Sequence, residues 1–214
     1  MAEIGQPERE IDVRPAELPV PSELPLDPPV PARARPRAGA GGAMRRLTTW
    51  LGRRALPRPP REATREPLGG WRVWRVVDSR HGPALASWRV GTVWPARREL
   101  QSGCFIHGPR APVQHRCGIH AFDAQGDALA YAEASQERLT LFDHRPAGIA
   151  VGRVSCWGHV VHHTLGWRSQ FAYPYDPFLL SADPSLARLL SRRYAVDATQ
   201  ASDAYGTLRA YSRN

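Results

Sequence analysis

The stretch Ile149-Ala-Val-Gly-Arg-Val-Ser-Cys-Trp-Gly-His-Val-Val-His-His163 predicts a long β-strand, because β-branched and aromatic residues recur along it. Successive side chains of a strand point to opposite faces of a sheet. One face is smaller and more apolar and is expected to point inward; it holds Gly152, Val154, Cys156, Gly158, Val160 and His162. This would bury Cys156 as an inert thiol. A strand of this length is expected to bend, and Gly158 is the predicted position.

Neighbouring segments predict further strands around this one. Residues 166–173 are the expected hairpin partner, and residues 71–77, Trp-Arg-Val-Trp-Arg-Val-Val, have strand composition. Residues 85–93 are expected to form another strand, bent at Gly91, and residues 119–122 a short one. Together these segments predict a curved, mostly antiparallel sheet or a partial barrel.

Two helices are expected to pack on this sheet. A stripe at helical spacing begins after residue 123; it contains Ala128, Tyr131, Ala132, Ser135, Leu139 and Phe142. Asp183 and Pro184 are typical of a helix start, with Asp as the N-cap and Pro at the first helical position. The apolar face of this second helix would hold Leu186, Leu189, Leu190 and Tyr194. The predicted fold class is therefore α+β.

The predicted domain boundary lies near residue 67. Residues 1–66 hold twelve of the 21 prolines and are rich in Ala and Arg. Such a segment buries too little apolar surface to offset its chain entropy, so we expect a disordered tail before a folded domain at residues 67–214. Within the tail, residues 44–56 predict a basic amphipathic helix of the kind that can lie on an anionic membrane. Because isolated helices below about 12–15 residues are marginal in water, a linker helix is the favoured interpretation.

The net charge of +9 is unevenly distributed. Residues 1–30 carry seven acids and two arginines, whereas residues 31–66 carry ten arginines and two glutamates. All 29 basic residues are arginine, which is typical of a GC-rich genome and weakens the charge as evidence for nucleic-acid binding. The chain begins without a basic and apolar leader, and it contains no apolar run of transmembrane length. With only three cysteines, it is expected in a reducing cytoplasm.

The segment from residue 104 to residue 122 predicts a metal site. Cys104 and His107 form a C-x2-H pair, and His115 and Cys117 form an H-x-C pair. Zinc accepts thiolate and imidazole ligands in a tetrahedral shell, and a site closed by four protein ligands is usually structural. Glycine and prolines between the two pairs favour the tight turn that a small chelate loop needs. We therefore predict a structural zinc ion.

The same cysteines and histidines allow three alternatives to this zinc site. Cys104 and Cys117 could be small buried apolar side chains, with the histidines in a surface loop. A disulfide between these two cysteines is disfavoured because nothing marks the chain for export. His120 could replace His115 as a ligand, but its three-residue offset from Cys117 points it to the other face of a strand.

Several motifs resemble a family of small uncharacterised proteins from high-GC Gram-positive bacteria. They are Gly70-Trp71-Arg72…Trp74, Cys104…His107…Pro112…Cys117-Gly118-Ile119-His120-Ala121, Val151-Gly152-Arg153-Val154…Trp157-Gly158…Val160 and Gly166-Trp167-Arg168…Ala172-Tyr173-Pro174. The resemblance covers roughly residues 69–180. The family has Cys at the position of His115 and Tyr at that of His120. The first difference keeps a zinc-competent donor. The family implies a domain boundary and no established activity.

A second cluster of candidate residues lies in the predicted hairpin: Trp157, His159, His163, Trp167 and Arg168. As a ligand-binding groove, it would stack flat groups on the aromatic rings and hold an anion on the guanidinium. As a second small core, it would pack against the strand that holds Trp71 and Trp74. Tryptophans are more often core residues, which favours the second interpretation.

The pattern as a whole favours a non-enzymatic binding or interaction domain for an unidentified protein or small ligand. No catalytic constellation is recognisable beside the cysteines or histidines. A nucleic-acid-binding module that uses residues 31–66 and the tryptophans is the alternative. A metal-dependent hydrolase, with Cys104, His107 and Cys117 as ligands and water in the fourth position, is a further alternative.

Overall fold

Two long strands, β7 (Gly148–His163) and β8 (Gly166–Leu179), form the predicted hairpin. They pair antiparallel along almost their whole length. The register shifts between Trp157 and Val160, where Gly158 adopts a φ of 78°. Glycine tolerates this left-handed conformation, which a β-bulge often requires. The predicted bend at Gly158 is therefore confirmed.

The computed structural model describes residues 4–21, 60–88, 91–103, 117–139, 147–179 and 184–198. These residues form eight strands and two helices. Besides the hairpin, the strands are β1 (Pro7–Val13), β2 (Arg61–Thr64), β3 (Leu68–Ser79), β4 (Gly82–Ser87), β5 (Leu100–Gln101) and β6 (Ile119–Phe122). The predicted α+β class with a curved, mostly antiparallel sheet is confirmed.

The strand order is β2-β1-β7-β3-β6-β8-β5, with β4 beside β3. All described pairings are antiparallel except that of β1 with β2. Since β7 pairs with both β3 and β8, and β6 joins these two, the sheet is partly ring-like without being a barrel. Strands β3 and β6 pair at a single position of this ring, Trp71 with Phe122.

Glycines in β3 and β8 allow both strands to lie close to β6. A Cβ atom on Gly166 would lie 2.0 Å from the backbone oxygen of Ala121, and one on Gly70 would lie 2.8 Å from the Ala121 Cβ. Both distances are below van der Waals contact. A side chain at either position would therefore push β6 away from its neighbours.

Each helix covers a different part of the sheet, as predicted. Helix α1 (Gln125–Leu139) packs Ala128 and Ala132 in a cluster with Val73 and Val151. Helix α2 (Pro184–Tyr194) contributes the buried residues Leu186, Ala187, Leu190 and Tyr194 to the larger core. The predicted N-cap, Asp183, lies outside the described residues.

Two predictions about the chain path are wrong. Two strands of the sheet lie in the predicted disordered tail: Pro7–Val13 and Arg61–Thr64. The former joins the fold because Ile11 and Val13 alternate with charged residues and fill the core beside β7. The predicted strand at residues 85–93 ends at Ser87, and the chain then returns so that Val93 pairs with Ala86. Residues 44–56 lie outside the described part of the chain.

Candidate functional site

The predicted metal ligands fall mostly outside the described residues. Of the four, only Cys117 is described; it is half-buried and lies just before β6. Within the described ranges, no group of three or more His, Cys, Asp or Glu side chains is placed to hold a metal ion. The zinc site therefore stays a prediction.

The two tryptophans of the second predicted cluster contribute to the core. Trp157 is 4% exposed and stacks on Phe171 with ring centroids 6.2 Å apart. Trp167 packs partly buried against the same core and contacts His162 at a centroid distance of 4.2 Å. These contacts agree with the interpretation of the tryptophans as packing residues.

Arg168 shares one face of the sheet with several histidines. In the register of β6 and β8, Arg168 lies directly opposite His120, and on the other side it lies opposite Val161 of β7. Residues directly opposite in an antiparallel pair share a face, and so do residues two apart along a strand. His120, Arg168 and His163 are therefore on one face. We name Arg168 and the histidines His120, His159 and His163 the Arg168 cluster.

His159 belongs to this cluster because it lies two residues before Val161 on β7 and therefore shares its face. Its backbone N–H donates to the Gln170 side-chain oxygen at 3.2 Å, and its Nε2 atom lies 3.9 Å from a carboxylate oxygen of Glu10. Burial lowers the pKa of His159, whereas the charge of Glu10 raises it; Arg168 is among the other groups that lower this pKa. His159 is thus buried, close to Arg168, and bordered by an acid from β1.

His120 lies close to two arginines. Burial above all, together with the charges of Arg72 and Arg168, lowers the pKa of its imidazole to about 3. A neutral imidazole is therefore favoured at this position.

His163 is oriented by the N-terminal segment. Its Nδ1 atom lies 3.0 Å from the Gly5 carbonyl oxygen, and a carbonyl oxygen only accepts hydrogen bonds. The hydrogen of a neutral His163 is therefore on Nδ1, which leaves a lone pair on Nε2. That Nε2 atom is buried and has no hydrogen-bond partner among the described residues. Burial lowers the pKa of His163, and the charge of Arg168 acts in the same direction.

The side chain of Arg72 links β3 to β6 beyond the one position at which these strands pair. Its Nη1 atom donates to the backbone oxygen of His120, and its Nη2 atom lies 3.4 Å from the Ser87 hydroxyl. The guanidinium carbon lies 5.1 Å from the ring centroid of Trp94, a favourable cation–π distance. Burial lowers the pKa of Arg72 to about 10. The side chain thus replaces missing backbone pairing and adds positive charge beside His120.

Sequence reasoning missed the roles of His120 and Arg72 in this cluster. The sequence pattern offers His120 as an alternative metal ligand and places Arg72 in a strand. The signal that could have found His120 is the strand pairing of residues 119–122 with residues 166–169. Cys156, predicted to be an inert buried thiol, is fully buried, and its burial raises the thiol pKa to about 11.

Comparison of this chain with protein-family models, with curated proteins and with solved structures found no match. No helix within the described ranges is both long enough and apolar enough to cross a membrane.

Proposed function

We propose that this chain is a non-enzymatic binding domain and that its ligand site is the Arg168 cluster. The observation that carries the proposal is the position of Arg168, which is only 7% exposed, directly opposite His120 and on the same face as His163. A guanidinium and imidazoles on one face of a sheet present hydrogen-bond donors and acceptors of the kind that a polar ligand uses.

Catalysis is not part of the proposal. The described members of the cluster include no nucleophile beside a base, and the one described thiol in the core, Cys156, has a pKa raised to about 11. A thiol of that pKa is protonated near neutral pH and is a poor nucleophile. Cytoplasmic location and the resemblance to small uncharacterised proteins of high-GC Gram-positive bacteria remain predictions from the sequence.

Ligand-induced stabilisation tests the proposal. The full chain is heated with a panel of small anionic, neutral and cationic compounds, since any compound that binds the folded state raises Tm. We expect the stabilising compounds to lose their effect on Arg168→Gln. Arg153→Gln, which removes an exposed arginine elsewhere on β7, is the matched control and should keep the response. A panel without any stabilising compound, or stabilisation that Arg168→Gln leaves unchanged, would contradict the proposal.

The structural zinc site formed by Cys104, His107, His115 and Cys117 is proposed as a separate, supporting feature of the same domain. The nucleic-acid-binding alternative depends on the tryptophans and on residues 31–66, of which only residues 60–66 are described. It predicts binding that weakens steeply as salt increases. The hydrolase alternative requires a metal that supports turnover, and loss of one ligand would then abolish activity while the fold remains.

A further inference from the structure

We propose that α2 is part of a surface that binds the phosphate backbone of a nucleic-acid duplex. This inference goes beyond the proposed function, because the surface includes no member of the Arg168 cluster and its test is independent. Three observations support it. The exposed face of α2 carries two arginines, further arginines lie on the segments that α2 contacts, and the described ion pairs all lie elsewhere.

The exposed face of α2 is positively charged. Arg188 and Arg192 are exposed, whereas the apolar residues on the other side of the helix are buried in the core. Four residues separate the two arginines, so they lie on one face of the helix, about 6 Å apart along its axis. The phosphates of one strand recur about every 3.4 Å along a duplex. The two guanidinium groups can therefore reach different phosphates.

Hydrogen bonds place two further segments beside α2. The Nη1 atom of Arg193 donates to the backbone oxygen of His81, in the turn between β3 and β4, at 2.8 Å. The Nη2 atom of Arg97, in the loop after β4, donates to the backbone oxygen of Arg192 at 3.0 Å. Each of these segments also carries an exposed arginine next to the contacting residue. We name the four exposed arginines of the helix, the turn and the loop the α2 surface: Arg80, Arg98, Arg188 and Arg192.

Ion pairing distinguishes the α2 surface from the arginines near β1. Every described ion pair includes a residue of β1 or β7, such as that of Arg14 with Asp12 at 2.7 Å. No arginine of the α2 surface takes part in them; Arg80 donates to the His81 ring at 2.8 Å, which leaves its charge uncompensated. Acids close to these arginines in the chain also lie outside the described ion pairs: Asp78, Glu99 and Asp197.

The stability of α2 accounts for only part of its charge. The helix dipole favours positive groups in the last turn, where Arg192 and Arg193 lie. Arg188 precedes that turn, and like charges four residues apart destabilise a helix. The helix contains no acid that would compensate this repulsion. An anionic ligand would do so.

The side chains of α2 favour a duplex over a single strand and over a membrane. Proteins that bind single strands without sequence preference stack the bases on aromatic rings, but Tyr194, the aromatic residue of α2, is buried. A helix that lies on a membrane inserts its apolar face, but the apolar face of α2 is in the core, and Leu189 is its one exposed large apolar residue. Contacts to the phosphates of a duplex need neither feature.

The experiment measures binding of the full chain to a labelled random-sequence DNA duplex of about 20 base pairs by fluorescence anisotropy at several salt concentrations. The logarithm of the association constant should fall with the logarithm of the salt concentration, by about 0.9 for each phosphate neutralised. Duplex RNA of the same length is titrated alongside, and binding to either duplex supports the proposal. A single strand of this length should bind more weakly than the duplexes.

Charge-matched variants locate the binding. Arg188→Gln combined with Arg192→Gln should reduce the salt slope by up to about 2 and weaken binding roughly tenfold at about 0.1 M salt. Arg98→Gln, outside the helix, should reduce the slope by about 1. The control, Arg9→Gln combined with Arg14→Gln, removes the same net charge near β1 and should leave the slope unchanged. Circular dichroism verifies that each variant is folded.

Residues 31–66 are the same in every variant, so a change in binding reports on the substituted arginines. Equal weakening by the α2 variant and by its control would show that only net charge matters and would overturn the inference. Binding that no variant changes, tighter binding of the single strand, or no binding to either duplex at low salt would overturn it as well. Binding through Arg188 and Arg192 to phosphatidylserine vesicles alone would replace the duplex by a membrane. None of these results affects the proposed function of the Arg168 cluster.

Discussion

The phenol oxygen of Tyr173 in β8 donates a 2.7 Å hydrogen bond to the backbone oxygen of Tyr194, the last residue of α2. The same oxygen accepts from the backbone N–H of Arg97 at 3.0 Å. The Tyr194 hydroxyl in turn donates to the Trp94 backbone oxygen and accepts from the Leu85 backbone N–H, both at 3.0 Å. Two tyrosines therefore tie the end of the helix to the sheet and to the loop after β4.

Tyr173→Phe should lower the free energy of unfolding by about 1–3 kcal/mol, because it leaves buried backbone groups without partners. Urea unfolding measures this change. Tyr131→Phe is the control, since the Tyr131 hydroxyl makes no hydrogen bond to the described residues, and it should cost little. Equal stability of Tyr173→Phe and the unaltered chain would show that the connection to α2 is made by packing alone.

Alkaline pH should weaken the same connection. Burial raises the pKa of Tyr173 to about 12 and also raises that of Tyr194. Since the unfolded chain ionises near pH 10, the stabilisation is complete below about pH 10 and is lost as the pH approaches 12. Unfolding midpoints across this window should fall less steeply in Tyr173→Phe. An identical decline in both proteins would argue that other groups cause the alkaline loss.

Ile11→Ala tests whether β1 belongs to the folded domain. Ile11 is 4% exposed and lies opposite Val160 of β7, so truncation should cost about 2–5 kcal/mol. Leu18→Ala, at a residue that is 58% exposed, should be nearly neutral. Denaturant unfolding of both variants gives the comparison. If Ile11→Ala were as neutral as Leu18→Ala, β1 would contribute little to stability.

Gly166→Ala should strongly destabilise the fold or prevent folding, because the new Cβ would lie 2.0 Å from the Ala121 backbone oxygen. Gly126→Ala is the matched control on α1, where a Cβ meets nothing within 4 Å. That substitution should be neutral or stabilising by up to about 1 kcal/mol. Thermal unfolding of the two variants should therefore move in opposite directions, and a tolerated Gly166→Ala would mean that β6 can shift away from β8.

Mild acid should destabilise the protein through His120. Its folded-state pKa of about 3 lies below the ordinary 6.5, so the unfolded chain binds a proton first as the pH falls. The stabilisation is present above about pH 6.5 and is lost progressively towards pH 3. His120→Gln, which cannot ionise, should show a shallower loss of stability over this range in urea titrations. An unchanged slope would assign the acid sensitivity to other residues.

The predicted zinc site is tested by the metal content of the purified full chain, because β1 and β2 precede residue 67 and a shorter piece would lack them. About one zinc ion per chain is expected, with loss of metal and of stability in Cys104→Ala. Cys156→Ala is the control for metal content, since this cysteine is not a predicted ligand. A metal-free chain that is stably folded would eliminate the site.

The sequence by itself determined the elements whose signal is local. The strand composition of β7, its bend at Gly158, the hairpin with β8 and the helices α1 and α2 are each encoded within a short window. The expected inward face of β7 was only part of its buried surface, since Val151 and Trp157 of the opposite face are buried too. The same windows were sufficient to predict the burial of Cys156. They were also sufficient for the α+β class.

Only the tertiary structure decided which segments of the chain pair and pack with one another. Ile11 packs beside Val160, and His120 lies opposite Arg168, because strands far apart in the chain pair side by side. No local pattern specifies such partners, since pairing is selected by how well distant faces pack and by the few places where glycine permits close approach. Arg72 donates to the His120 carbonyl for the same reason. Strands β3 and β6 pair at only one position, and this partial pairing exists only once the sheet has formed.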